Sequence, residues 1–236
     1  MIRESFRFRE TIATILADSP GHIRAAKSGM LQARQALEAY IARDPFFQAT
    51  FDPYVPDSDE LIILRMAEAT RKAGVGPMAA VAGAIAWAGV EEMTNAGAGF
   101  GVIDNGGDIA FISDRILRVG IHAGESVLSN RYAFEVPPQE KILGMCTSSA
   151  TVGPSISFGM ADAVSIFSHD VALADAWATA VCNQIRPGDH SVIDGINKNE
   201  VSALCAIMAD MMVKWGDLPP IVPAVVDEQL ISAGDR

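Results

Sequence analysis

Asp175 and Thr179 stand four residues apart in A-L-A-D-A-W-A-T-A, a stretch that reads as helix, so their oxygens project from one face about one turn apart. A carboxylate paired with a hydroxyl suits a hard cation such as Mg2+, which takes oxygen ligands, keeps some of its water and commonly bridges to phosphate. The same pair also arises when the threonine bonds back to the carbonyl four residues earlier and the aspartate faces solvent. A second candidate is V-I-D-N-G-G-D-I-A-F, residues 102–111. Asn-Gly between β-rich runs signals a hairpin, because a type I′ turn needs positive φ at both central residues. With Asn105-Gly106 as the turn, Gly107 is one glycine more than required; it permits close backbone approach to a ligand, and Asp108 at the strand's mouth can accept a ligand hydrogen bond. The third is C-T-S-S-A-T-V-G-P-S-I-S-F-G, residues 146–159, where hydroxyls and glycines crowd the space between two strands. Such a segment offers N–H and O–H donors to a phosphate or a flavin edge, and it is also the composition of an ordinary solvated loop. Cys146 has no His or Lys neighbour in sequence to lower its pKa, so it reads as an idle thiol. A thiol-handling role for it in sulfur or cofactor metabolism is the alternative.

Other chemistries lack their residues. There is no G-x-x-x-x-G-K-[ST], G-x-S-x-G or H-E-x-x-H, which argues against a P-loop NTPase, a nucleophile-elbow hydrolase and a zinc protease. Three dispersed cysteines and four dispersed histidines form neither a disulfide framework nor a zinc site. A net charge of −11, with no basic cluster to offset it, argues against nucleic acid as a partner. An anionic ligand would need a local device such as backbone N–H groups or a metal. No apolar run is long enough for a membrane helix, and the charged start M-I-R-E-S-F-R-F-R-E-T is no signal sequence, so the expectation is a cytoplasmic protein without a membrane partner. The oligomeric state is left open.

The elements that must position these residues follow from periodicity and punctuation. Phe6, Phe8, Ile12, Thr14 and Leu16 recur with period two, predicting a strand or a hairpin bent near Arg9-Glu10. Ser19-Pro20 opens a helix that Asp44-Pro45 ends; Asp57 to Glu60 forms a capping-box-like start for a second helix, closed by Gly74. Gly76-Pro77 begins a third helix, rich in alanine and glycine and so able to lie close to a sheet or another helix. Strands dominate from Phe100 to Ile166, and residues 170–185 and 199–215 read as helices. The expected architecture is one α+β domain over residues 1–221, with helices on one face of an antiparallel sheet, and a peripheral tail over 222–236. A Rossmann unit does not fit, since these glycines precede a strand and not a helix.

Taken in order, G-V-G-P-M-A-A-V-A-G-A-I-A, then N-G-G-D-I, then T-S-S, then A-D-A-W-A-T resembles the ApbE superfamily over residues 74–183, and most of all its compact branch. The best-known members are FAD:protein FMN transferases. The resemblance implies a T-fold-related α+β fold, with FAD between the turn at Asn105, Gly106, Gly107 and Asp108 and the helix carrying Asp175. It implies Mg2+ on Asp175 and Thr179, Thr147, Ser148 and Ser149 lining the flavin site, and a protein as acceptor of the transferred group. Two features of the transferases are missing. The helix start, Gly76 to Ala82, carries neither their lysine nor their acidic residue, and their H-x-[IL]-D-P-x-T-G segment is shortened to G-P-S-I-S-F-G. Loss of the lysine is what a flavin or nucleotide binder without transferase activity would show.

Overall fold

The computed structural model describes residues 1–151 and 159–226. Its strands are β1 (Ile2–Phe8), β2 (Thr11–Ala17), β3 (Phe100–Asn105), β4 (Asp108–Ser113), β5 (Leu117–Gly120), β6 (Tyr132–Val136), β7 (Gln139–Ser148), β8 (Ala163–Ser168), β9 (Ala203–Met208), β10 (Met211–Gly216) and β11 (Ile221–Pro223). The helices are α1 (Pro20–Arg43), a single turn α2 (Phe46–Ala49), α3 (Leu61–Ala73), α4 (Val81–Asn95) and α5 (Val171–Gln184). Eight strands form one sheet in the order β1-β2-β3-β4-β7-β8-β9-β10, every neighbouring pair antiparallel, and β11-β6-β5 form a smaller sheet.

The predicted α+β architecture, a single domain with helices on one face of an antiparallel sheet, is what forms. Alternation along the strands divides the core in two. Ile15, Ile103, Ala110, Cys146, Val164 and Leu204 face the helices. Val102, Phe111, Met145, Phe167 and Cys205 face the small sheet, where Phe134 meets Phe167 edge-on at 5.1 Å. That second cover was not anticipated: β5 and β6 leave the main run of strands and fold back over its far side.

Local signals placed most elements. Ser19 Oγ accepts the His22 N–H at 3.2 Å and Pro20 occupies the first helical position, which starts α1. Gly74 ends α3 in the left-handed region at φ 71°. The capping box at Asp57–Glu60 does not form: Glu60 is the N-cap of α3 and no side chain caps the helix. Pro77–Ala80 is a turn of 3-10 helix ahead of α4.

The helix expected over 199–215 is a β-hairpin. β9 reads A-L-C-A-I-M and is buried at every position, so it lacks the alternation that marks a half-exposed strand. Its two-residue turn, Ala209-Asp210, contains no glycine or asparagine, yet Ala209 adopts φ 54°. From residue 222 the chain enters the small sheet through β11, and backbone bonds hold Ala224 and Val226; residues 227–236 lie outside the described part.

The small residues of α4 allow the expected close packing. A Cβ at Gly29 of α1 would lie 2.5 Å from the Ala88 carbonyl oxygen of α4. In an isolated helix Gly→Ala gains about 1 kcal/mol; here the clash is with backbone and outweighs it. Gly29→Ala is expected to destabilise the fold by about 1–3 kcal/mol, the usual range for overpacking, as measured by urea denaturation. A midpoint equal to or above wild type would show that α1 and α4 separate at little cost.

Candidate functional site

The turn between β3 and β4 is set by its glycines. Asn105 pairs with Asp108, leaving Gly106-Gly107 as a two-residue loop with φ of 73° and 100°, the type I′ pattern. Both glycines are therefore needed by the turn itself, which removes the argument that Gly107 is surplus. Asp104 Oδ1 accepts the Gly107 N–H at 2.9 Å and braces the loop. Asn105 Nδ2 donates to the Ala82 carbonyl at 3.0 Å, tying the turn to the start of α4.

Asp108 opens β4 opposite Cys146 of β7. By strand alternation Asn105, Asp108, Cys146 and Ser148 look toward the helices. Thr147 looks the other way, and its hydroxyl shares a hydrogen bond with Ser165 Oγ at 2.8 Å. Only the Thr147 backbone reaches the helix side, where its N–H favours the charged form of Asp108. Ser149 Oγ accepts the Thr151 N–H at 3.1 Å. The G-P-S-I-S-F-G segment lies, apart from Gly159, outside the described residues.

Above this end of the sheet α5 delivers Asp175. Its carboxylate Oδ2 accepts the Gly83 N–H at 2.8 Å, so a residue of α5 satisfies an orphan donor in the first turn of α4. Gly83 has to be glycine-sized here: a Cβ would lie 2.9 Å from both Asp175 Cβ and the Val171 carbonyl oxygen. The residue is buried, at 7% exposure, which disposes of a solvent-facing aspartate. Thr179, one turn on, is half-buried. Two other helix threonines bond back four residues, Thr70 to Met66 at 2.7 Å and Thr94 to Val90 at 2.9 Å. Thr179 does not do so among the described residues.

The buried carboxyl of Asp175 and the carboxyl of Asp108, whose Oδ1 is buried, thus lie within electrostatic reach of each other. Burial pushes Asp108 well above the usual carboxylate range, and the charges of Asp175 and Asp104 push it further. Burial raises Asp175 to about 7 against the pull of the Gly83 and Ala82 N–H groups. Asp108 Oδ1 is buried without a partner. No lysine, arginine or histidine acts on either carboxyl among the described residues. Cys146, the strand partner of Asp108, donates its thiol to the Val171 carbonyl at 3.5 Å and also bonds the Asp108 carboxyl, and burial holds it protonated; that favours the idle-thiol reading.

The residues fit a hard divalent cation. The donors are all oxygen, one is orphaned and buried, and no basic side chain competes; Mg2+ typically takes one or two carboxylates and completes its shell with water and phosphate. No group of three His, Cys, Asp or Glu able to hold a metal by itself occurs among the described residues. Sequence reasoning missed Ala82 and Gly83 as N–H donors; a glycine in the first turn of a helix was the available signal. An open cleft of about 270 Å3, lined by Glu125, Ser126, Val127, Asp162, Ala209 and Asp210, touches none of the residues singled out. No single helix among the described residues is long and apolar enough to cross a membrane.

An antiparallel sheet with helices on one side and acidic oxygens at one end makes this an α+β protein, and comparison with known proteins supplies the family. The family model described as "AbpE bacteria" matches residues 5–218, and the chain belongs to that family. It is similar to the UPF0280 protein of Methanoregula boonei, 65% identical over 237 residues and covering 100% of each chain. The UPF0280 protein of Methanoculleus marisnigri is 63% identical over 234 residues, covering 99% of this chain and 96% of the relative. Among solved structures, the apo form of Pseudomonas stutzeri flavinyl transferase ApbE superposes with a TM-score of 0.59 at 12% identity, over 99% of this chain and 98% of the other. The flavin transferase ApbE of Vibrio cholerae gives 0.52 at 10% identity, over 91% and 96%. At such identities the likeness establishes the fold.

The raised value of Asp175 has a consequence for stability. Its folded pKa, about 7, exceeds the value near 4 of an unfolded aspartate, so the folded state holds the extra proton between them. The contribution is full below about pH 4 and is lost as pH rises through about 7. In metal-free buffer Asp175→Asn is expected to lose less melting temperature than wild type across that window, as read by calorimetry. Parallel curves for the two proteins would show that Asp175 does not titrate there.

Proposed function

We propose that this protein binds a flavin nucleotide, FAD, or a smaller phosphorylated ligand in the presence of Mg2+, at the end of the sheet where the 105–108 turn, the end of β7 and α5 converge. The observation that carries the reading is that buried Asp175 and the buried, unpartnered Oδ1 of Asp108 lie within electrostatic reach of each other with no basic side chain acting on them among the described residues. Asp175 and Thr179 hold the metal, Asn105 to Asp108 border the ligand, Thr147 offers only its backbone beside it, and Ser148 and Ser149 offer hydroxyls. A cation bound there supplies charge neutralisation and polarises a phosphate oxygen.

The reaction proposed is flavinyl transfer in the cytoplasm to a hydroxyl of a partner protein. The hydroxyl oxygen bonds to the FMN phosphorus, the phosphoanhydride bond to the AMP moiety breaks, AMP leaves with the bonding electrons, and the hydroxyl proton passes to solvent. The chain contributes orientation: Gly83 and Ala82 fix Asp175 through their N–H groups, and the Gly106-Gly107 turn fixes Asp108 at the strand start.

A second reading, ligand binding without transfer, is favoured by Gly76 to Ala82, which carries no lysine or acidic residue. Incubation with FAD, Mg2+ and candidate proteins, following AMP release and protein mass together, separates the two. Transfer gives AMP and a flavinyl mass increase on the acceptor, both lost in Asp175→Ala. Stoichiometric FAD retention with neither product supports the binder, and no FAD or phosphate-ligand binding at all sinks both.

A further inference from the structure

The geometry points to Asp108 as a second carboxylate ligand of the divalent cation, opposite Asp175, so that the metal is clamped between the first residue of β4 and the second turn of α5. This rests on the cation-dependent reading above and adds a residue to it.

Four observations carry it. Asp108 is half-buried beside an exposed turn, and although the Thr147 N–H and the Cys146 thiol bond its carboxyl, its Oδ1 is buried with no hydrogen-bond partner. Buried carboxylates elsewhere are paired or hydrogen-bonded, because an unpaired one costs several kcal/mol; an orphaned oxygen in such a place calls for a donor or a cation. The charges acting on Asp108 are those of Asp175 and Asp104, both negative. Asp175 is held in place by the Gly83 N–H at 2.8 Å, while the Thr179 hydroxyl on the same face of α5 makes no hydrogen bond among the described residues. Finally, Asp108 is paired with Cys146, whose thiol touches the Val171 carbonyl at 3.5 Å, so the start of β4 lies under α5. Two carboxylates and one hydroxyl, from a strand and a helix, form an all-oxygen set whose remaining positions water or phosphate can fill.

The test is binding of Mn2+ alone, followed by its electron paramagnetic resonance signal with Mg2+ as competitor and no flavin present. Wild type is expected to bind one ion that Mg2+ displaces. Asp108→Asn keeps the size and an acceptor for the Thr147 N–H, and is expected to weaken binding about tenfold or more, as loss of an ordering ligand does. Asp104→Asn removes a nearby negative charge whose side chain braces the turn, and is expected to leave affinity nearly unchanged. Should Asp108→Asn fail to fold, Asp108→Glu carries the test, because it keeps the charge and displaces it by one methylene; a similar loss is expected. Wild-type affinity in the folded Asp108 variant, an equal loss in Asp104→Asn, or no Mn2+ binding by wild type overturns the assignment. Mn2+ binding that depends on Asp108, without AMP release from FAD, supports the clamp and counts against transfer, so the two readings fail separately.

Discussion

Asp175 reaches from the second turn of α5 to the first turn of α4, and this buried carboxylate-to-amide contact ties the two helices that lie on the sheet. A carboxylate taken out of water must be compensated, and the helix start supplies N–H groups that have no partner of their own. The compensation works only at close range. It requires that nothing larger than a hydrogen project from Gly83, and that Val171 pass close to the same glycine. Asn105 then ties the β3–β4 turn to the Ala82 carbonyl, so both ends of the single peptide group between Ala82 and Gly83, its C=O and its N–H, are engaged by the candidate site.

The acidic character of the whole chain makes this local arrangement more telling. A protein of net charge −11 repels anionic ligands at long range. Two more buried negative groups with no basic neighbour would deepen that repulsion at the very point where a helix start exposes N–H groups. A divalent cation reverses the sign of the site without altering the rest of the surface.

Much of this was legible from sequence, and the failures have physical causes. The β3–β4 hairpin and the ends of α1 and α3 were readable because glycine, serine and proline have few alternative roles there. The i,i+4 pair on α5 was readable from spacing alone. The hairpin of β9 and β10 was not, since a fully buried strand has no alternation and its turn places an alanine at positive φ. The meeting of Asp108 with Asp175 was also beyond reach, because it depends on Asp108 pairing with Cys146 and on α5 lying over β7. The side that Thr147 faces is likewise a consequence of strand register, and a shift by one residue would have reversed it.

The composition of α5 bears on what its two polar groups are for. An amphipathic surface helix carries polar residues on its wet side, whereas one apolar all round is enclosed. In α5, Val171 through Ala178 are all buried, with Ala180, Val181 and Cys182 beyond them. Asp175 therefore cannot be assigned to a solvated face, while Thr179, half-buried, stands at the edge of the enclosed surface. At an enclosed position such as that of Asp175 a polar side chain costs free energy unless it is satisfied, and alanine or valine would fill it more cheaply. Asp175 finds the start of α4; Thr179 neither bonds back to its own helix nor bonds to another described residue. Packing alone accounts for neither polar choice: Asp175 is kept at an enclosed position by its bond to the start of α4, and Thr179 one turn on keeps a hydroxyl that makes no hydrogen bond to its own helix among the described residues.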